Sequence, residues 1–401
     1  MTDPAPAGQH TLRRHNSALV LRGVLDAPGV SRAEIAARTG LAKATVSSLV
    51  DRLIAADLVT ETGLVSRQGR GRRSTGLAPS PTGPHGLGVE IGVDYLATCL
   101  VDLTGQMHEH TVRSGDNRTR PPADVLAATG SAIRAALDSA ADRGVRVGGV
   151  GIAVPGLVES ATGLLRVAPN LGWRDLDIAA TVSAFIDLPV VAGNEADFAA
   201  AAELGSRSAR PRDFILVSGE IGIGAGIVVD GRPFTGVHGF SGELGHLNVD
   251  PNGPSCGCGS RGCLERLAGL DSITREAGVW RDGIPPAETL GELVRALSTA
   301  DGAALAAVHA AGRWLGIALA SVINVLDLSC VILGGSYAAL VPWLREPLIE
   351  ELGRRVISAA WSPVQVTAST LGGTAAVRGA GAAPVAAIVS DPDTYISAVG
   401  K

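Results

Sequence analysis

The sequence has few of the features that direct a chain into a membrane or a disulfide-rich fold. None of its apolar runs reaches the roughly 18 residues that a membrane span requires, and the polar, proline-rich segment 1–10 lacks the apolar centre of a signal peptide. Only five of the 401 residues are cysteine. We therefore expect a cytoplasmic protein, in which clustered cysteines bind metal more often than they form disulfides.

Positive charge is also in deficit over the whole chain, but it is unevenly distributed. The formal net charge is -5, from 34 Lys and Arg against 39 Asp and Glu. The first 80 residues nevertheless hold 11 basic and 6 acidic residues, so the excess of acid lies entirely in the remainder. A basic module on an acidic body indicates that only the N-terminal part meets a polyanion, although many unrelated surfaces carry a similar charge.

The N-terminal part has the pattern of a helix-turn-helix. Ser31 and Glu34 form an S-x-x-E capping box for a helix that should run to about Thr39, and Gly40 should end it. Apolar residues at helical spacing mark the buried face of a second helix: Val46, Leu49, Val50 and Leu53. Small polar residues and a cation on its outer face suit a recognition helix, because they can approach base edges and phosphates. The candidate DNA contacts on this helix are Lys43, Ala44, Thr45, Ser47, Ser48 and Arg52.

Segments 58–62 and 74–78 are predicted to pair as strands around an arginine- and glycine-rich loop. This loop would form a wing, and its candidate DNA contacts are Arg67, Arg70, Arg72 and Arg73. Arginines separated by glycines suit a narrow minor groove, where the potential is most negative. Phosphate contacts, or a solvated basic loop that does not touch DNA, are the alternatives.

After a Pro- and Gly-rich linker at 79–86, apolar strand-like runs alternate with alanine-rich helical stretches, which indicates α/β domains. The first two runs are 87–93 and 97–103, and Thr104 and Gly105 form a turn after the second. The body ends in a stretch, 390–401, without a usable pattern.

A histidine and three cysteines lie close together in the middle of the body. His246, Cys256, Cys258 and Cys263 offer one imidazole and three thiolates, a closed tetrahedral set for a structural Zn²⁺. Glycines between the cysteines let the chain curl around an ion. A chance cluster of thiols is one alternative, and a catalytic zinc is another, although four protein ligands leave no open position.

These residues lie in Gly-Glu-Leu-Gly-His at 242–246 and Cys-Gly-Cys-Gly-Ser-Arg-Gly-Cys-Leu-Glu at 256–265, and this pair of motifs resembles the signature of the ROK (repressor, open reading frame, kinase) family. The resemblance covers the chain from about residue 87, through Gly-Ile-Ala-Val-Pro-Gly at 151–156, Pro-Asn-Leu-Gly-Trp at 169–173 and Gly-Asn-Glu-Ala at 193–196. It implies a two-lobed, actin-like α/β sugar-kinase fold behind a winged helix-turn-helix.

Motif positions then suggest three units. A DNA-binding domain spans 1–79, a small lobe spans 87–193 and is completed by C-terminal helices at 371–401, and a large lobe with the zinc motif spans 194–370.

The resemblance also assigns sugar-binding residues. In ROK kinases the residues that match Asn194, Glu243, His246 and Glu265 hydrogen-bond sugar hydroxyls, and the histidine binds zinc through its other nitrogen. Glu195 is a further candidate for a hydroxyl contact. Asn170, in the Pro-Asn-Leu-Gly-Trp loop, is another, although a turn-forming role fits it as well.

The phosphate-handling motifs depart from those of ROK kinases. The usual Asp-x-Gly-Gly-Thr loop is Glu-Ile-Gly-Val-Asp at 90–94, where Val93 hinders backbone approach and Asp94 adds negative charge. In the second loop Glu220 replaces a hydroxyl, and the catalytic Asn-Asp pair is Asn194-Glu195. A carboxylate displaced by one methylene loses the geometry that proton abstraction requires. We therefore expect no catalytic residues and no enzyme activity.

Three functions remain to be compared. The first is a sugar-sensing transcriptional repressor that resembles the xylose-repressor-like branch and reads two DNA half-sites as a homodimer or homotetramer. The second is a bifunctional ATP-dependent sugar kinase that also binds DNA. The third is a regulator tethered by protein contacts, whose sugar cleft is vestigial.

Overall fold

The computed structural model describes residues 9–65, 74–206, 211–219, 221–281, 284 and 286–399. The arginines predicted for the tip of the wing, at 67, 70, 72 and 73, lie outside these residues, and so does Glu220.

The N-terminal unit consists of three helices and a small sheet of strand order β1-β3-β2. Its elements are α1 (Gln9–Leu25), β1 (Val30–Ser31), α2 (Arg32–Thr39), α3 (Lys43–Ala55), β2 (Val59–Val65) and β3 (Ser74–Pro79). The predicted capping box is present, because the Ser31 hydroxyl accepts a hydrogen bond from the Glu34 amide while the Glu34 carboxylate accepts one from the Ser31 amide at 2.9 Å. Gly40 ends α2 with φ of 72°, a left-handed conformation that favours glycine. The predicted winged helix-turn-helix is therefore confirmed.

The connection between this unit and the body is packed rather than free. Asp57 accepts a hydrogen bond from the Ser80 hydroxyl at 2.5 Å. A side chain at Gly83 would lie 2.6 Å from the Asp57 carbonyl oxygen, so the linker passes directly against the N-terminal unit. The next strand begins at His85, two residues before the predicted start.

The first large sheet has five strands in the order β11-β7-β4-β5-β6. The elements of this region are β4 (His85–Ile91), β5 (Tyr95–Val101), β6 (Met107–Ser114), α4 (Pro122–Asp142), β7 (Val147–Val154), β8 (Leu157–Val158), β9 (Leu164–Ala168), β10 (Trp173–Asp177), α5 (Ile178–Ser183) and β11 (Val190–Asn194). Strand β4 is buried along its whole length because it is central to the sheet. Strands β8, β9 and β10 form a separate small sheet beside it.

The second large sheet also has five strands, in the order β14-β13-β12-β15-β16. The elements of this region are α6 (Glu195–Ser206), β12 (Phe214–Gly219), β13 (Ile223–Val229), β14 (Arg232–Pro233), α7 (Glu265–Ala268), α8 (Leu270–Glu276), α9 (Pro286–Ser298), α10 (Gly302–Leu326), β15 (Cys330–Gly335), α11 (Ser336–Arg355) and β16 (Gln365–Ala368). Helix α10 is long and apolar enough to cross a membrane, but 56% of its most apolar window is buried inside the protein and it packs against α11. We therefore assign it as a core helix.

Two helices follow the second sheet and return to the first. They are α12 (Ala375–Ser390) and α13 (Pro392–Val399). Helix α12 packs on β4, β5, β7 and α6. The approach is close, since a side chain at Gly86 would lie 1.9 Å from the Gly381 carbonyl oxygen.

Candidate functional site

A cleft of about 630 Å³ opens where the strands of the two large sheets end. Four residues at or near the ends of these strands line the cleft: Glu90 of β4, Asn194 of β11, Ser218 of β12 and Gly335 of β15. Ligands of α/β proteins bind at this edge of a sheet. The polar end of the cleft is the part of its lining beside the His and Cys segment, and the lining also includes glycines and the first turn of α12.

The four predicted zinc ligands come together at the polar end. Their donor atoms all lie within 4.8 Å of one another. The Sγ atoms of Cys258 and Cys263 are 3.7 Å apart, and the Cys256 Sγ is 3.8 Å from His246 Nδ1. Burial raises the pKa of Cys263, which a bound cation would reverse by stabilising the thiolate. This donor set fits Zn²⁺.

Two close backbone approaches shape the loop that carries the cysteines. Asn248 and Ser255 form isolated bridges with Cys263 and Arg261. Gly262 has φ of 64°, and a side chain there would lie 1.6 Å from the Asp250 carbonyl oxygen. Only glycine fits this position. Gly262 thus lets the loop fold back on itself, as the sequence predicts for a glycine between the cysteines.

His246 has one nitrogen toward the thiols and the other toward the cleft. Its Nε2 lies 3.9 Å from the Glu243 carboxylate, on the side opposite Cys256. Burial raises the pKa of Glu243, and the nearby carboxylate of Glu265 adds to this rise. Metal binding at Nδ1 would fix the imidazole and leave Nε2 for a ligand, so the double role of His246 is compatible with this geometry and stays a prediction.

Glu265 and Asn170 meet on the other side of the polar end. A side chain at Gly222 would lie 2.5 Å from Glu265 Oε2 and 3.1 Å from Asn170 Nδ2. Glu265 also accepts a hydrogen bond from the Ile223 amide at 3.3 Å. Both predicted residues line the cleft, and both lie against Gly222, where there is no room for a side chain.

Asn194 and Glu195 also line the cleft, but the Asn194 amide is already engaged by the backbone. Its Oδ1 accepts hydrogen bonds from the amides of Ala196 and Asp197 at the start of α6, and its Nδ2 donates to the Gly156 carbonyl at 2.9 Å. Asn194 therefore holds α6 against the loop after β7. Glu195 is placed at the first turn of α6 by this cap.

The Tyr95 side chain packs over the loop at 90–94, the stretch that resembles the kinase phosphate loop. Tyr95 donates a hydrogen bond from its hydroxyl to the Glu90 carboxylate. The Tyr95 ring crosses Gly92, where an added side chain would lie 2.4 Å from the ring. Val93 is buried, and Asp94 lines the cleft together with Glu90. Acidic and aromatic groups thus surround the one glycine left in this loop.

Three residues of the cleft region were not predicted. Trp173 is 2% exposed and lines the cleft, and its Nε1 has no hydrogen-bond partner in the described part of the chain. Asp197 is partly buried, and burial together with Glu243 raises its pKa to about 7. Tyr95 is the third. Trp173 is the last residue of the Pro-Asn-Leu-Gly-Trp motif, so the sequence could have indicated it. No sequence pattern links Asp197 to Glu243 or Tyr95 to Glu90.

The outer face of α3 is open, as predicted for a recognition helix. Lys43, Ala44 and Ser48 are exposed, and Thr45 and Ser47 are partly exposed. Arg52 differs from this group, because its guanidinium lies 3.0 Å from the carboxylate of Asp393 on α13. The predicted recognition surface is therefore available at the front of α3, while the last turn of the helix contacts the body.

A second set of ligand-type residues lies beneath the linker, but turn geometry explains it. Donor atoms of His85, Asp102 and His108 lie within 4.8 Å of one another. Asp102 already accepts hydrogen bonds from Thr104, Gln106 and His108. Its carboxylate is satisfied by an Asx turn and one imidazole, so nothing there requires an ion.

Comparisons with known proteins agree with this architecture. Residues 86–386 match the ROK family and residues 13–73 match the MarR family. The chain is 30% identical to the xylose repressor of Bacillus subtilis over 378 residues, which are 93% of this chain and 95% of the relative. It is 31% identical to a glucokinase of Streptomyces coelicolor over 317 residues, 73% of this chain and 95% of that enzyme.

Two solved structures likewise differ in how much of this chain they match, because one matches nearly the whole chain and the other matches its body. A ROK family transcriptional regulator, a homologue of the Escherichia coli Mlc protein, superposes with a TM-score of 0.81 at 26% identity, covering 96% of this chain and 99% of the regulator. A ROK glucokinase of Streptomyces griseus, solved with glucose and AMPPNP, gives 0.64 at 29% identity, covering 74% of this chain and 98% of the enzyme. The protein thus belongs to the ROK family and carries a MarR-type winged helix in front of a two-lobed, sugar-kinase-like body.

Proposed function

We propose that this protein is a DNA-binding transcriptional repressor whose kinase-like body senses a sugar or sugar derivative and thereby changes its affinity for operator DNA. The observation that carries the proposal is the extent of similarity. The chain matches a xylose repressor and a ROK regulator over nearly its whole length, including the N-terminal winged-helix unit (the reading head, 1–79). The glucokinases match its body alone. The reading head contributes the winged helix and the body contributes the cleft.

The polar end of the cleft is the sugar-binding site in this proposal. Carboxylates, an amide and an imidazole can each hydrogen-bond to neighbouring hydroxyls. The groups assigned to the sugar are Asn170, Asn194, Glu195, Glu243, His246 and Glu265, all of which line the cleft. The buried Nε1 of Trp173, which has no partner among the residues that the structure describes, adds a donor that a ligand oxygen would satisfy.

Phosphoryl transfer is not part of the proposed function. The Tyr95 side chain, hydrogen-bonded to Glu90, covers the region that resembles the phosphate loop. Asp94 adds a second carboxylate where ATP would bring negative charge. Glu195 stands where ROK kinases carry aspartate. An active kinase is therefore the competing function, and ATP binding separates the two.

A structural Zn²⁺ held by His246, Cys256, Cys258 and Cys263 fits the donor set. The ion would fix the His246 ring and close the cysteine loop against the cleft. Chelation under denaturing conditions should release about one equivalent of zinc per chain, and a folded, zinc-free preparation would contradict the assignment.

The proposal places the protein in the cytoplasm. It also includes assembly into a homodimer or homotetramer, because a helix-turn-helix protein reads two half-sites with two heads. In domain terms, we assign 1–79 to the reading head, 87–193 with 371–401 to the small lobe, and 194–370 to the large lobe.

Thermal unfolding against a sugar panel tests the proposal. The panel contains D-xylose, D-glucose, other aldoses and N-acetylhexosamines, each with and without Mg-ATP. A ligand at 100 times its Kd stabilises the native state by about 2.7 kcal/mol, a shift of a few degrees in Tm. We expect one sugar to raise Tm, and Mg-ATP to have no effect.

The variant Glu243→Gln should lose that shift, while Glu288→Gln, on α9 and away from the cleft, should keep it. A rise in Tm with Mg-ATP would favour the kinase. No response to any sugar would favour a vestigial cleft.

A further inference from the structure

The acidic side chain of Asp393, on α13, binds three residues of the reading head. Asp393 is 3% exposed. Its carboxylate lies 3.3 Å from Arg13 Nε, 3.2 Å from the Ser17 hydroxyl and 3.0 Å from Arg52 Nη2. Arg13 and Ser17 belong to α1, and Arg52 lies in the last turn of α3. One buried carboxylate therefore holds the two helices that set the position of the recognition surface.

Apolar contacts continue the same attachment. Val385 and Ile388, near the end of α12, belong to one buried cluster with the core residues of the reading head, among them Leu21 and Leu53. Leu103, in the turn that follows β5, joins this cluster. The core of the reading head is thus completed by the body, and α12 supplies part of it.

The opposite end of α12 forms part of the cleft. Ala375 and Ala376, in its first turn, line the cavity, as do Gly372 and Gly373 just before it. Sixteen helical residues span about 24 Å. A single helix that packs on the central strands of the first sheet therefore runs from the cleft to the reading head.

We propose that Asp393 is a positioning residue that ties α3 to the α12–α13 segment, so that a change in the cleft alters operator affinity by moving this segment. The inference rests on the proposed function and specifies its regulation. When α12 shifts, Asp393 shifts with it and carries Arg13, Ser17 and Arg52. Because the carboxylate is buried, breaking these contacts would leave it unpaired at a high free-energy cost, so α1 and α3 follow rather than detach.

The test measures operator affinity with and without sugar in the full-length protein. The DNA is a duplex that the wild-type protein enriches from a random-sequence library, and the sugars are D-xylose, D-glucose and N-acetyl-D-glucosamine, each tested alone. Allosteric systems couple two sites by about 5- to 150-fold. We expect Asp393→Asn to bring the ratio of the two Kd values to within about twofold of 1, while the sugar still raises Tm.

Arg14→Gln is the matched control. Arg14 pairs with Asp391 at the same interface, but its side chain is 46% exposed, so the variant removes an ion pair without opening the buried cluster. It should keep the wild-type ratio. If Asp393→Asn fails to fold, Asp393→Glu serves instead, because it keeps the charge and displaces the carboxylate by one methylene.

Two results would overturn the inference. The first is a wild-type Kd ratio in a folded Asp393 variant, even with weaker binding to DNA, since a merely structural role changes both Kd values equally. The second is unchanged amide hydrogen exchange in α3 of that variant. A wild-type protein whose DNA binding ignores every sugar would instead refute the proposed function itself.

Discussion

At the scale of single residues, several polar side chains of the cleft already form hydrogen bonds within the protein before a ligand binds. Asn194 caps α6, and Glu265 holds the Ile223 amide. Such contacts fix rotamers, so a ligand meets a preorganised surface and loses less entropy on binding. The motifs named both residues through the family resemblance, but they did not predict the second contact, because Glu265 and Ile223 lie 42 positions apart.

Asp197 provides a residue-scale prediction because its pKa is raised from 3.8 to about 7 by burial and by Glu243. The folded state keeps a proton that the unfolded chain releases, so this group's stabilising contribution is complete below about pH 4 and is lost as the pH rises through 7. Asp197→Asn mimics the protonated form. We expect it to raise the free energy of unfolding at pH 8 by about 1–3 kcal/mol relative to wild type, and by almost nothing near pH 4.

Urea titrations at several pH values would measure this difference. Asp187→Asn, at an exposed position, is the control and should show no such pH dependence. A difference between Asp197→Asn and wild type that is the same at pH 4 and pH 8 would refute the assignment.

At the scale of elements, local signals predicted well and distant ones did not. The capping box at Ser31 and the apolar spacing in α3 are confirmed because all the interacting groups are within a few residues of one another. Strand β6 was not predicted, since its polar residues lie on an edge strand that is mostly exposed. Helix α13 lies in the stretch without a usable local pattern, and only the motif positions predicted C-terminal helices at 371–401. The side chain that anchors it, Asp393, has its partners at the other end of the chain.

Close packing of α12 against α6 gives an element-scale prediction. A side chain at Gly379 would lie 1.9 Å from the Phe198 carbonyl oxygen. Gly379→Ala must push the two helices apart, and we expect it to destabilise the fold by about 3 kcal/mol. Gly353→Ala, in α11, meets no atom within 4 Å and should stabilise the fold by about 0.5–1 kcal/mol. Chemical denaturation of both variants decides the matter, and equal effects would contradict the packing described for α12.

At the scale of the whole molecule, charge separates the reading head from the body. The excess of arginine in the first 80 residues and the exposed front of α3 agree with an electrostatic footprint confined to one unit. Composition was sufficient to predict this charge arrangement, and the resemblance of the motifs to the ROK family predicted the fold. They could not predict how the head sits on the body, because that depends on contacts between residues nearly four hundred positions apart.

Salt dependence provides the prediction at this scale. Each phosphate contact contributes about 0.9 to the slope of log K against log salt. Arg72→Ala with Arg73→Ala should weaken binding to the selected duplex and lower that slope by about 1.8 if both arginines contact phosphate. Arg313→Ala with Arg345→Ala removes the same charge from exposed positions on the body and should leave the slope unchanged. A gel-shift titration at several salt concentrations measures both, and an unaltered slope in the first variant would remove the wing from the DNA interface.

The buried bond between Ser17 and Asp393 joins residues 376 positions apart, which has a consequence for synthesis. A ribosome makes α1 long before α12 and α13, so a nascent reading head lacks Val385 and Ile388 and keeps an apolar flank open to solvent. Contacts of such long range are slow to form, and exposed apolar surface invites chaperones or aggregation. Premature termination before residue 385 would therefore release chains whose reading head lacks the part of its core that α12 supplies.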